Sequence, residues 1–218
     1  MLVPKSSDVK NRIVHSAGNL FARQGYHGTS TREIASLAVV SENTIFRHFE
    51  HKEDVFWSAL RMHLATVKLS RDLLDGIAQC DSPEVVLPKL LKLLSETARA
   101  KPELLRLIAV ALIELHEKST EFFQEHFSRA LSAINEYLSI NIENGKISDS
   151  ESSMLISAMI GSVLIHPGIY GLIDGNKPTY SSSLEAERAY SKFWSDLIVP
   201  RASAYPSRNA QTTDAYSG

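Results

Sequence analysis

The chain holds 218 residues, 44% hydrophobic and 22% charged, which fits a soluble globular protein with enough material for a real core. Its net charge of -2 argues against a general nucleic-acid coat, and its single cysteine, Cys80, excludes an internal disulfide. The start, MLVPKSSDVK, lacks the apolar run of a signal peptide, and the longest apolar-rich stretch, Met154 to Ile165, falls short of the roughly 20 residues a membrane helix needs; a cytoplasmic location is expected.

Apolar residues recur at helical spacing almost throughout, and no segment alternates long enough to predict a strand. The first helix is expected from about Asp8 to Gln24, with Ile13, Ala17, Leu20 and Phe21 as its buried stripe and Gly25 as its stop. A short second helix starts in TSTREIA, with Ser30 as cap and Glu33 completing a capping box; Ile34, Ala35 and Ala38 face inward. Ser41 caps a third short helix, and Glu42 lies at its positive end. A fourth begins after His51 and is carried by Val55, Phe56, Ala59, Leu60, Leu64 and Val67 as far as Leu74, as a long connector. The next starts at Pro83 or at Pro88, because proline suits a first turn. Helices then follow from Pro102 to about Lys118, through STEFFQEHFSRALSAINEYLSINIENG to Gly145, through DSESSMLISAMIGSVLIHPG to Pro167–Gly168, and from Ser183 to Val199. The polar tail after Pro200 reads as disordered.

Two short helices joined by a tight turn form a helix-turn-helix, here Ser30 to Phe49. Steps of 100° around the third helix put Ile45 and Phe49 on one side and Asn43, Thr44, Arg47 and His48 on the other, with Glu42 and Phe46 at the boundary. The outer face therefore carries an amide, a hydroxyl, a guanidinium and an imidazole, the groups that bond base edges and phosphates. Residues 1–52 hold seven Lys or Arg against four acids, while the remainder nets -5, so a mildly basic segment precedes an acidic body.

The stretch RIVHSAGNLFARQGYHGTSTREIASLAVVSENTIFRHFEHKEDVF, Arg12 to Phe56, resembles the DNA-binding domain of the TetR/AcrR family of bacterial transcriptional regulators. The likeness lies in LF followed by GY, then REIA, VS at the turn, TIFRHF and KEDVF, in this spacing. The resemblance implies that Arg32 reaches a base or phosphate, that Thr44, His48 and Lys52 hold the phosphate backbone, and that Asn43 and Arg47 lie nearer base edges. Ser30, Thr31, Ser41 and Phe46 complete the candidate DNA-binding set. The family usually has a tyrosine at the position of Phe46, so one phosphate hydrogen bond is lost there while a thymine-methyl contact is kept open. It usually has glycine where Val39 stands, which implies a turn of slightly different shape. Glu42 repels phosphate unless it accepts from a cytosine amino group, and it is equally read as a helix-dipole partner.

The implied fold is all-α with about nine helices: an amino-terminal three-helix helix-turn-helix DNA-binding domain (7–67, motif 30–49), then a larger helical effector-binding and dimerisation domain (68–199), then the tail (200–218). Ser157, Ala158, Gly161 and Ser162 are small enough for close helix approach, and Tyr190, Phe193, Trp194 and Leu197 share a stripe; the resemblance implies a homodimer bundle from these two helices, against a reading as intrachain core. Leu105, Ile108, Leu112, His116, Phe122, Phe123 and Phe127 are candidates to line a largely apolar effector pocket. The expected function is a transcriptional regulator, a repressor released from double-stranded operator DNA by a small molecule. An all-helical enzyme or lipid-binding protein with an incidental helix-turn-helix is the alternative. The chain shows no nucleophile elbow, phosphate loop or HExxH motif, so neither catalysis nor a cofactor or metal is expected.

Overall fold

The computed structural model describes residues 6–67, 70–147, 154–155, 157–162 and 183–198. All regular elements among the described residues are helices: α1 (Ser6–Gln24), α2 (Thr31–Ala38), α3 (Glu42–His48), α4 (Lys52–Leu64), α5 (Arg71–Ala78), α6 (Pro83–Ala100), α7 (Pro102–Glu114), α8 (His116–Glu143) and α9 (Ser183–Ile198). Residues 154–155 and 157–162 are helical too, whereas the expected stop at Pro167–Gly168 and the tail lie outside the described residues.

Local chemistry sets the helix ends. Gly25 closes α1 with a left-handed φ of 78°, and its N–H donates to Phe21 O at 3.0 Å. The capping box of α2 is present in full, with Ser30 and Glu33 satisfying each other's backbone N–H groups. Two expectations need correction, and one alternative is decided. The connector stops at Leu64 instead of Leu74: Thr66 turns its hydroxyl onto His63 O (2.6 Å), Lys101 Nζ holds Thr66 O (2.6 Å), and Ser70 caps a separate α5. The helix expected to reach Lys118 ends at Glu114, and Leu115 leaves helical geometry before α8 begins. No breaker residue marks that break. The start of α6 is Pro83, and Pro88 lies inside the helix.

Packing forms two cores. The first joins Ile13, Ala17 and Phe21 of α1, Ile34 of α2, Ile45 of α3 and Phe56 of α4 to Leu104, Leu107 and Ala111 of α7 and Phe122 of α8. The second gathers Leu73, Leu87, Leu91, Leu138, Met159 and Trp194. The first core thus runs beyond residue 67, because α7 lies along α1 and shares its buried face. An ion pair and a hydrogen bond tie α4 to α8: Lys118 meets Glu53 at 2.8 Å, and Arg61 donates from Nε to His126 Nε2 at 3.0 Å. Burial would raise the Glu53 carboxyl, yet bonds from Lys118 and Trp57 outweigh it and hold it below the usual carboxylate range.

Candidate nucleic-acid interface

The reader is built upward from the turn between α1 and α2. Thr29 is buried and donates from Oγ1 to Gly25 O at 2.8 Å, closing the turn on itself. A Cβ at Gly28 would sit 2.2 Å from Gln24 O, so only glycine fits there. Two long-range contacts fix the turn. Glu114, the last residue of α7, accepts from His27 N at 3.0 Å. Lys52, the first residue of α4, donates from Nζ to Tyr26 O and Thr29 O, each at 3.0 Å, with the Tyr26 ring centroid 4.2 Å away.

This placement changes the role expected of Lys52. Its ammonium is committed to two carbonyls and a ring inside the protein, and it positions the turn ahead of α2. An ammonium has three donors, so one remains for a phosphate. The bonds span 26 and 23 residues, and no local sequence pattern announces them.

α2 then starts on Ser30. Its hydroxyl and backbone N–H both bond the Glu33 carboxylate, and these bonds hold that carboxyl below its ordinary range. Arg32 is exposed on the first turn. At the far end Val39 adopts a left-handed φ of 55°, and Val40 N returns to Ala35 O at 3.0 Å. The valine thus holds the left-handed conformation that a glycine adopts easily.

α3 is capped by Ser41, whose Oγ accepts from Thr44 N at 3.2 Å and lies 2.8 Å from Thr44 Oγ1. Ile45 and Phe49 are buried in the first core, so the helix is seated on the side expected. Asn43 and Arg47 are exposed, Thr44 and His48 are half-buried, and the Phe46 ring is 50% exposed. Glu42 accepts a short hydrogen bond from Thr31 Oγ1, which ties the start of α3 to the start of α2. Ser30, Thr31, Arg32, Ser41, Asn43, Thr44, Phe46, Arg47 and His48 therefore lie on two adjacent capped helices (α2·α3), whereas Lys52 stands behind them in the turn's support. The sequence did not single out Glu114, nor Lys10, which lies over the Phe49 ring at 5.3 Å.

A family model for bacterial regulatory proteins of the tetR family matches residues 13–59, the segment that carries this geometry. Residues 13–59 thus form a tetR-type DNA-binding segment. It is 44% identical to the HTH-type transcriptional regulator YvkB of Bacillus subtilis (strain 168) over 52 residues, which cover 24% of this chain and 28% of YvkB. Over 173 residues, 78% of the chain, it is 25% identical to the fatty acid metabolism regulator protein of the same organism and covers 81% of that protein. Its fold matches the crystal structure of AibR in complex with isovaleryl coenzyme A and operator DNA, with a TM-score of 0.65, 17% identity, and coverage of 88% of this chain and 100% of AibR. The similarity to YvkB is thus confined to a short segment, whereas that to the fatty acid metabolism regulator spans most of the chain.

Of the residues expected to line an effector pocket, only Ile108, Phe122, Phe123 and Phe127 are brought together. Phe122 is buried in the first core, with Ile108 and Phe123 packed against it, whereas Leu105 packs against the second. Leu112 and His116 are exposed, so His116 is no polar point within a cavity. Phe127 is half-buried, its ring 6.0 Å from that of Phe123. Spacing on a helix identifies a face but not which neighbour covers it, and here α7 turns its face to α1. An open groove of about 380 Å³ between α4 and α8 is bordered by Asp54, Trp57, Arg61, Lys118 and Phe122, and only the last belongs to the expected set.

The expected dimer face divides. Trp194 is buried in the second core and donates from Nε1 to Ser162 Oγ at 3.3 Å, so it joins α9 to residues 157–162 of its own chain. Phe193 and Leu197 are more than half exposed, Ser157 and Ala158 are exposed as well, and nothing lies within 4 Å of a Cβ built on Gly161. The Tyr190 side chain lies outside those described.

Proposed function

We propose that this protein is a sequence-specific DNA-binding transcriptional regulator, a repressor that a small molecule releases from its operator. The observation that carries the reading is α3: a capped helix seated through Ile45 that presents Asn43, Phe46 and Arg47 to solvent beside the exposed Arg32 of α2. A short helix held this way fits the major groove, where amide and guanidinium groups read base edges. Phe46 offers an apolar ring suited to a thymine methyl group.

Specific reading by one such helix requires a two-fold partner about one DNA turn away. The exposed Ser157, Ala158, Phe193 and Leu197, with the half-buried Gly161, are the faces we assign to a homodimer. The effector is assigned by class as a small, largely apolar molecule taken by the body. Its interior is rich in leucine, with Tyr137, Asn141 and Trp194 as polar points, and the buried Asn141 Oδ1 accepts no hydrogen bond among the described residues. A cytoplasmic location follows from this function, and no helix among the described residues is long and apolar enough to cross a membrane.

Gel-shift titration with DNA from upstream of the protein's own gene tests the reading. A complex that survives added salt on this DNA, and that unrelated DNA does not form, is the expected result. Equal affinity for both, collapsing together as salt rises, overturns it.

A further inference from the structure

The recognition helix opens on an acid, although it faces a polyanion. We propose that Glu42 is a specificity-determining residue that accepts a hydrogen bond from a cytosine amino group in each operator half-site, with Thr31 as its positioning residue. The proposal rests on the reading of the protein as a DNA-binding regulator.

Glu42 is the first residue of α3 and is exposed. Recognition helices contact base edges through their amino-terminal residues. The Thr31 hydroxyl donates to one carboxylate oxygen, Oε1, which fixes the side chain and leaves Oε2 to accept from outside. Thr31 is itself the first residue of α2, so the carboxylate lies at the positive ends of two helices, which moderates its repulsion from phosphate.

The major groove then decides the base. Guanine presents two acceptors there and thymine one, and both repel a carboxylate. Adenine presents an amino donor beside the N7 acceptor, so a carboxylate meets one favourable and one repulsive group. Cytosine presents its amino group without an adjacent acceptor. Asn43 and Arg47, exposed on the same helix, supply donors, and Glu42 adds to them an acceptor that nothing can turn into a donor while it is ionised.

The experiment is selection from a randomised duplex pool at one fixed salt concentration, with wild type, Glu42→Gln and Thr31→Val, alongside a thermal melt of each. Wild type is expected to enrich a two-fold motif with one C·G pair per half-site, and replacing that pair by T·A lowers affinity roughly tenfold. Glu42→Gln moves the preference at that pair toward adenine, which glutamine bonds through N6 and N7, and leaves the other positions unchanged. Thr31→Val weakens the discrimination at the same pair only. If wild type and Glu42→Gln enrich one motif with the same preference at every position, the proposal is overturned while the DNA-binding reading stands. A Glu42→Gln protein that melts lower and loses affinity for all sequences alike makes Glu42 a structural tie between α2 and α3 and also overturns it. If wild type enriches no motif, the DNA-binding reading falls and the proposal falls with it.

Discussion

Val39→Gly is expected to stabilise the protein. Val39 closes α2 in the left-handed region, at φ 55° and ψ 54°, and its side chain is 80% exposed. An L-residue pays roughly 1–2 kcal/mol for that conformation because its Cβ crowds the following carbonyl. A β-branched side chain belongs at the upper end of this range, since its two γ-methyls stiffen χ1. The substitution also loosens the unfolded chain, which costs about 0.4–1 kcal/mol. Little apolar burial is lost from so exposed a position, so the net gain is about 1–1.5 kcal/mol.

For a chain of about 150–250 residues each kcal/mol moves Tm by about 2–4 °C, so a rise of about 2–6 °C is expected. Thermal melting followed by circular dichroism, paired with urea titration at constant m, measures it. Val39→Ala is the control: alanine keeps a Cβ and should stay within about 0.5 kcal/mol of wild type. If Val39→Gly melts at or below the wild-type temperature with m unchanged, the valine bears no strain and the turn has been misread.

Lys52→Met removes two charged hydrogen bonds and should cost about 1.5–3 kcal/mol of stability, read by urea titration, while weakening operator and non-operator DNA alike. Arg47→Ala should leave stability within about 0.5 kcal/mol, lower operator affinity by about 1–3 kcal/mol and relax base preference, read by competition gel shift. Burial, and then the nearby His15, hold the His63 imidazole below its ordinary 6.5, and its buried Nε2 has no hydrogen-bond partner among the described residues. The unfolded chain therefore takes the proton first, so stability is intact above 6.5 and falls as pH drops from there through the folded value; His63→Leu should flatten Tm against pH in that window. A fragment ending at residue 67 loses Leu104, Leu107 and Phe122 from its core, at about 1.5–3 kcal/mol each, and should melt well below the intact chain.

The reader was legible because its signals are local. Ser30 and Glu33 lie three residues apart and form the capping box, Ser41 caps α3, and the period of α3 put Ile45 inside and Arg47 outside. What the sequence concealed depends on distant partners. Nothing near Lys52 indicates Tyr26 O and Thr29 O, and nothing near Glu114 indicates His27 N, 87 residues away. Leu64 was a false continuation for the same reason: the apolar period runs on, but Thr66 and Lys101 take up the carbonyls. The pocket set failed in part because the stripe of Leu104, Leu107 and Ala111 is the face that α1 covers, which leaves Leu112 and His116 outside.

These long-range contacts bear on how the body governs the reader. Buried faces alone allow small sliding, because dispersion contacts are non-directional. A hydrogen bond is directional and weakens steeply as its angle opens. The turn from Gly25 to Ser30 is gripped by directional bonds from both neighbours, Glu114 of α7 and Lys52 of α4, and Ser30 leads straight into α2. A shift of α7 along α1 therefore strains the His27–Glu114 bond before it disturbs the leucine contacts, and the strain enters at the root of the recognition unit. α7 is suited to transmit such a shift, since Leu104 and Leu107 lie in the first core while Leu105 packs against the second. The reader's geometry is thus set jointly by its own caps and by one carboxylate of the body.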